Sequence, residues 1–249
     1  FLFTPLLHEV ATGGLDGKSV MEPLRGSLRR RGVRFVQGEA EYINVKNQHV
    51  FVGGKSILYD YLVVATGAES AFYDIPGAED FTVPLKTGQD AARIHAMLVE
   101  QFSRAASAHS DQERKKLASV AVVGAGATGV ELAAEVAELG KAIVGQPVEV
   151  ILIGAESEPL MVFHNILRDR ARRYLESSGI RLCLGMTVTK VGRDGVEFAD
   201  GSSVRVGTIL WAAGVKAFFP RFKGITPQCV HGRLLVDDYL RIPGNSNLF

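Results

Sequence analysis

The stretch from Val120 to Gly140 constrains this chain more than any other. It opens on the β-branched run Val120–Val123, the composition of a strand buried on both faces of a parallel sheet. Gly124, Gly126 and Gly129 follow in the spacing G-x-G-x-x-G. Val130, Leu132, Ala133, Val136, Ala137 and Leu139 then recur at helical spacing, and Gly140 stands where a helix C-cap is expected. Each glycine has its own physical task. Gly124 makes the tight turn off the strand, Gly126 lets backbone approach a pyrophosphate, and Gly129 lets the helix pack closely on the sheet. Phosphates placed there meet free N–H groups and the positive end of the helix dipole. A glycine-rich turn alone is weak evidence. With a strand before it and a helix after it, the pattern reads as a dinucleotide-binding unit.

Composition narrows the remaining choices. The chain has 249 residues, room for one large domain or two small ones, with 47% apolar residues. Its 28 basic and 27 acidic residues balance, so no field points to a nucleic-acid partner. The two cysteines, Cys183 and Cys229, have no C-x-x-C spacing, which excludes a disulfide framework and fits a reducing compartment. Cys229 and His231 form a lone Cys-x-His, too little for zinc, so no metal site is expected. Gly17-Lys18-Ser19 and Gly54-Lys55-Ser56 lack the earlier glycine of a phosphate loop and read as turns. No apolar run approaches the ~18 residues of a membrane span. The start at Phe1 and the stop at Asn247-Leu248-Phe249 both look cut, and the expectation is an internal segment of a longer protein.

Along the chain, Phe1–Leu15 reads as a loop running into a short helix, and Ser19–Arg31 as a helix ending in basic residues. Val33–Val36 reads as a strand. Ala40–Val45, His49–Val52 and Ile57–Val64 form a β-meander, the last running into Ala65-Thr66-Gly67. Ile75-Pro76-Gly77 and Val83-Pro84 mark a linker. A helix over 88–108 turns Ala91, Ile94, Met97, Leu98 and Phe102 to one face, and the charged stretch Asp111–Lys116 is solvated. After the glycine unit come a strand at Val148–Ile153, an arginine-rich helix at Phe163–Ser178, and strands at Ile180–Leu184 and Thr187–Val191. A hairpin around Asp200-Gly201 and a buried strand at Thr208–Ala212 complete the pattern. The fold class is therefore α/β: a Rossmann-like domain with a central parallel sheet and a β-meander, inserted in a second partial domain. The expected divisions are 1–85, 86–215 and 216–249.

The turns ending Tyr59–Gly67 and Thr208–Gly214 resemble the two A-T-G-type turns of flavoprotein reductases, in which an FAD domain is interrupted by an NAD(P)H domain. Within that superfamily four stretches resemble type II NADH:quinone oxidoreductases: Phe1–Leu15, the charged helix Asp111–Leu117, Gly124–Glu131 and Ile209–Ala217. The resemblance covers essentially the whole chain. It implies that an FAD pyrophosphate motif precedes Phe1, and that a flavin-binding turn and a quinone- and membrane-binding part follow Phe249.

The same resemblance implies roles for single residues. By it, Gly124, Gly126 and Gly129, with Thr128 in the same turn, hold the NADH pyrophosphate. Glu131, on the first helical turn, matches a glutamate facing the nicotinamide; the alternative is a surface glutamate favoured by the helix dipole. Ala213 and Gly214 approach the nicotinamide with backbone. Thr4 and Pro5 lie near the flavin ring, or simply pack on the sheet, with Ala65, Thr66 and Gly67 near the cofactor and Ala40 at the adenine. An acidic residue is expected at the end of the second strand to accept the ribose 2′-OH. Gly154 stands there instead, and Glu156 two residues later. Either Glu156 reaches the ribose or discrimination against NADPH is weak; no arginine follows immediately to take a 2′-phosphate, which favours NADH.

The implied cofactors are FAD and NADH, and the implied reaction is hydride transfer from NADH to FAD and on to a quinone, with no side-chain acid or base. A quinone acceptor, a membrane surface reached through the missing C-terminal part, and a homodimer are the implied partners. The implied place is the cytoplasm or the cytoplasmic face of the inner membrane. A reductase of a soluble acceptor and an NAD(H)-binding module without turnover are the competing readings. Lipoamide- or thioredoxin-type and sulfide:quinone chemistry both need cysteines paired beside the flavin, which the two here do not suggest.

Overall fold

The structure is a computed structural model that describes every residue except His231; the Cys229–His231 pair thus lies partly outside the described residues. Packing divides the chain into two compact units, Phe1–Glu22 with Ser70–Gly214, and Pro23–Glu69 with Val215–Phe249. These divisions do not follow 1–85, 86–215 and 216–249. Residues 1–22 and 70–85 pack with the glycine-motif unit, because the helix Leu7–Thr12 lies on the helices Gly88–Ala106 and Ala127–Val144 and Val83–Pro84 joins the sheet.

The first unit is built on a five-stranded parallel sheet in the order Val83–Pro84, Thr208–Trp211, Ser119–Val123, Glu149–Gly154, Arg181–Leu184. Its inner strands are buried on both faces, and alternation sorts their side chains into two cores. Val120, Val122, Val150, Leu152 and Leu210 point to the helical side, with Ile94, Leu98, Phe102, Leu132, Val136 and Leu175. Ala121, Val123, Ile151, Ile153, Ile209 and Trp211 point to the other side, against Val188, Val191, Val196 and Phe198 of an antiparallel meander. Each such large side chain contributes about 1.5–3 kcal/mol by leaving water.

Local chemistry sets the helices. Gly88–Ala106 starts at a capping box: the Asp90 N–H donates to Thr87 Oγ1 at 3.1 Å, and the Thr87 N–H to Asp90 Oδ2 at 2.7 Å. Ala91, Ile94, Leu98 and Phe102 are buried as the spacing predicts, and Met97 is half-buried at the flank. Asp111–Leu117 is a solvated helix. A polar staple closes the sheet below. The Gly207 N–H donates to Ser119 Oγ at 2.9 Å, and Gln101 donates to the Leu117 carbonyl at 2.6 Å while accepting from Thr208.

Several sequence expectations are corrected. The glycine-motif helix does not end at Gly140: it runs Ala127–Val144 and is capped by Gly145 at φ +78°. Gly140 is internal and buried; a Cβ there would sit 2.3 Å from Val148 Cγ2, so its role is close packing, not capping. The helix expected over Ser19–Arg31 is two pieces, Gly17–Val20 and Leu24–Arg30, because Met21 is extended ahead of Pro23. Val33–Val36 is not a strand, and Val33, Phe35 and Val36 are exposed. Val83–Pro84 is no linker but an edge strand paired with Leu210 and Trp211.

In the second unit the strands Arg221–Lys223, Ala40–Asn44, His49–Val52 and Lys55–Leu58 form one sheet in that order. Tyr42 stacks on Phe51 with ring centroids 4.1 Å apart, and the Lys223 ammonium lies 3.4 Å over the Tyr42 ring. The strand expected over Ile57–Val64 ends at Leu58. Beyond it the Tyr59 N–H still reaches the Gln48 carbonyl at 3.0 Å, and Leu62 and Val64 pair with residues 247–249. Leu58, Tyr61 and Val63 are exposed, and Ile43, Ile242 and Leu248 are the large apolar side chains that this unit fully buries among the described residues.

Candidate functional site

The site forms where the parallel strands of the first unit end. Gly124 leaves the strand at φ +116°, a conformation only glycine adopts without strain, and its N–H donates to the Ile153 carbonyl at 2.7 Å. A Cβ on Gly124 would lie 2.3 Å from the Ala212 carbonyl oxygen, and one on Gly129 would lie 1.8 Å from the Gly124 oxygen. The helix thus seats directly on the strand end. Gly126, the helix N-cap, has an ordinary φ of −77°, and nothing lies within 4 Å of a Cβ built there. Its lack of a side chain keeps that space open.

The helix beginning at Ala127 supplies no cap of its own: no side chain accepts at its N-terminus and no acidic residue stands in its first turn. The other long helices are served, by Thr87 and by His164. The first N–H groups of this helix therefore remain available to an anion, with the positive dipole end behind them. Thr128 is exposed at this mouth. The residues fit a pyrophosphate.

At the end of the neighbouring strand, Gly214 has φ +136°, and a Cβ there would meet the Tyr73 hydroxyl at 2.3 Å. Tyr73 donates to the Ala213 carbonyl at 3.1 Å, and the Ala71 N–H donates to Gly214 O at 3.0 Å. The Trp211 indole N–H donates to Ala71 O at 2.8 Å. Ala213 and Gly214 are thereby fixed as bare backbone beside Gly124. Tyr73 and Trp211 were not predicted; their part in the site comes from a pairing 140 residues apart that no local pattern reveals.

The departure at Gly154 has a steric cause. A Cβ there would lie 2.7 Å from Ala125 Cβ and 3.2 Å from Leu184 Cδ2, so an acidic side chain could enter only by moving the glycine loop. Glu156 follows in an exposed turn, where its carbonyl accepts from the Gly185 N–H at 2.8 Å and its side chain is in solvent. The turn is anchored at both sides. Leu160 N–H donates to Ala125 O at 2.9 Å, and the Glu158 carboxylate accepts from Arg172 Nη2 and Nε at 2.8 and 3.0 Å. Those bonds to Glu158 hold the guanidinium more firmly protonated than usual. Arg172 is thus engaged by carboxylates and is not a free cation for a 2′-phosphate.

Glu131 lies beyond the first turn, since the helix starts at Ala127; the dipole alone does not account for it. Its partner is His8, a residue for which the sequence suggested no role. Glu138, further along, accepts a hydrogen bond from Tyr174 at 2.9 Å, which raises the Tyr174 hydroxyl above its ordinary pKa. Thr4 and Pro5 form an exposed turn ahead of the Leu7–Thr12 helix, in the same unit as the glycine loop. Ala40, Ala65, Thr66 and Gly67 belong to the second unit. There Ala40 opens a strand, while Thr66 donates to the Phe218 carbonyl and the Phe218 N–H to Gly67 O at 3.1 Å.

The family model described as pyridine nucleotide-disulphide oxidoreductase matches residues 3–249. An external alternative NAD(P)H-ubiquinone oxidoreductase B2 of Arabidopsis thaliana is 32% identical over all of this chain and 47% of its own length. The type II NADH:quinone oxidoreductase Ndh of Mycobacterium tuberculosis is 32% identical over all of this chain and 58% of its own. The chain spans about half the length of the curated relatives it matches. Among solved structures, NDH2 from Plasmodium falciparum in complex with NADH superposes with a TM-score of 0.87, at 24% identity, over all of this chain and 56% of that one. That likeness is one of fold.

Proposed function

The chain belongs to the pyridine nucleotide-disulphide oxidoreductase family, and from that premise we propose that it is the NADH-binding unit, with adjoining FAD-domain segments, of a flavoprotein NADH:quinone oxidoreductase. The observation that carries the reading is the uncapped helix N-terminus behind Gly126, open where a side chain would otherwise stand. FAD, when bound, would supply the redox chemistry between nicotinamide and acceptor. This chain's residues bind and orient. Backbone at Gly124–Gly129 takes the pyrophosphate, Thr128 lies at the same mouth, Ala213 and Gly214 give the nicotinamide a flat backbone surface, and Glu131 stands beside it.

NADH is preferred to NADPH in this reading. Glu156 is the acidic residue available to a ribose hydroxyl, and Arg172 is already held by Glu158. Thr4 and Pro5 of the first unit, and Ala40, Ala65, Thr66 and Gly67 of the second, would contribute to the FAD side. The exposed apolar residues Leu58, Tyr61 and Val63 support a place for the second unit in a larger domain. Quinone as acceptor rests on the names of the relatives, as does the choice against a soluble acceptor. Attachment to a membrane surface and homodimer formation belong to the same proposal; among the described residues no helix is long and apolar enough to cross a membrane.

The test is anaerobic reduction of the full-length protein. NADH should bleach the flavin absorbance, and a quinone should restore it. A protein that binds NADH but carries no flavin would be a binding module, and that outcome would refute the proposal.

A further inference from the structure

His8 lies on the Leu7–Thr12 helix, which packs against the glycine-motif helix, and it is only 8% exposed. Its Nδ1 is 3.5 Å from Glu131 Oε2, and its Nε2 is 3.4 Å from Glu135 Oε1. Both ring nitrogens thus face carboxylate oxygens. A neutral imidazole carries one N–H and can serve one of them; the imidazolium carries two and serves both. Glu131 and Glu135 are four residues apart on one helix face, where like charges repel, and a cation between them offsets that repulsion.

The surroundings fix one end of this bridge and leave the other free. Thr12 donates its hydroxyl to Glu135 Oε2, so the Glu135 side is tied to the same helix that carries His8. The Glu131 side chain is 50% exposed against 10% for His8, so it reaches from the buried imidazole out to solvent. The other titratable groups at this contact are Glu9, whose carboxylate lies near His8 and Glu135, and His95 of the Gly88–Ala106 helix, packed against Gly13. Neither stands between His8 and Glu131.

We infer that His8 is a positioning residue: its imidazole ring, set between Glu135 and Glu131, holds the Glu131 carboxylate in place for the nicotinamide end of NADH. This rests on the proposed reading of Glu131 as the residue beside the nicotinamide.

The experiment is stopped-flow reduction of the flavin by NADH in the full-length protein, beside calorimetric titration with NADH. The variants are His8→Gln, Glu131→Gln, the double variant and Glu135→Gln. The expected result is a loss of about tenfold in the second-order rate for His8→Gln, within the range that small misplacements cost. Wild type and His8→Gln should bind NADH with affinities within about twofold, so that the loss lies in orientation of the nicotinamide and not in nucleotide affinity. The double variant should be no slower than Glu131→Gln alone, because His8 acts through Glu131. Additive losses, or a fall in NADH affinity that accounts for the loss in rate, would overturn the inference while leaving Glu131 in its role. If Glu131→Gln itself reduces the flavin at the wild-type rate, the reading of Glu131 fails and the role of His8 fails with it. Should His8→Gln not fold, Glu135→Gln decides alone: slower reduction at unchanged NADH affinity supports the inference, and an unchanged rate overturns it.

Discussion

Gly126 and Gly129 stand three residues apart in the same turn, yet substitutions at the two should fail for different reasons. An alanine at 129 places its Cβ 1.8 Å from the Gly124 carbonyl oxygen and 2.9 Å from the Gly124 carbonyl carbon, both backbone atoms that cannot swing aside. The helix start must therefore retreat by roughly 1 Å from a strand end packed at interior density. Overpacking of this kind costs about 1–3 kcal/mol, and the gain from replacing a helical glycine returns at most about 1 kcal/mol. Net destabilisation of Gly129→Ala should be about 2 kcal/mol, or some 4–8 °C in the melting temperature of a unit this size. A Cβ at 126 has nothing within 4 Å and sits at φ −77°, so Gly126→Val should melt within about 2 °C of wild type. Its side chain fills the space in front of the first helical N–H groups, and NADH binding should fall below detection by calorimetry. The assay is thermal unfolding beside NADH titration for both variants. Wild-type stability in Gly129→Ala would refute the account of how helix and strand meet, and full NADH affinity in Gly126→Val would refute the placement of the nucleotide.

Titration of the protein with each nucleotide should show NADH binding more tightly than NADPH, with Glu156→Ala narrowing the gap; tighter NADPH binding would remove Glu156 from the ribose. Gly154→Asp, which restores an acidic residue at the expected position, should lower the melting temperature, because its Cβ meets Ala125 Cβ at 2.7 Å. Trp211→Phe removes the indole donor to Ala71 O at a site only 2% exposed, along with part of a ring that packs on Phe72. It should cost about 2–3 kcal/mol in denaturant unfolding, and a loss below half of that would show that Ala71 finds another donor.

The parallel sheet was legible because its strands are buried on both faces and read as unbroken apolar runs, as at Val120–Val123 and Ile151–Ile153. The glycine turn was legible because each of its glycines answers a local steric demand. Gly140 misled for the same reason: glycine after an apolar period signals a helix end, and only the approach of Val148 and Phe102 shows that it answers a packing demand instead. Val33–Val36 has a strand's composition but no partner strand among the described residues, and β-pairing is a non-local property that composition does not encode. His8 was invisible for a related reason. Its meaning lies in two glutamates more than 120 residues away, and only the packing of two helices brings the three together.

Pro84 bears on how the protein behaves at high concentration. Along that edge strand, Val83 and Leu85 turn their amides inward, and Leu85 N–H reaches Trp211 O at 3.3 Å. Amides alternate in direction along a strand, so the outward one falls to residue 84. Proline has no N–H to offer, and the strand is only two residues long. A second molecule approaching that edge finds no row of donors to extend, and a sheet otherwise rich in valine and isoleucine is kept from growing through it from one molecule into the next.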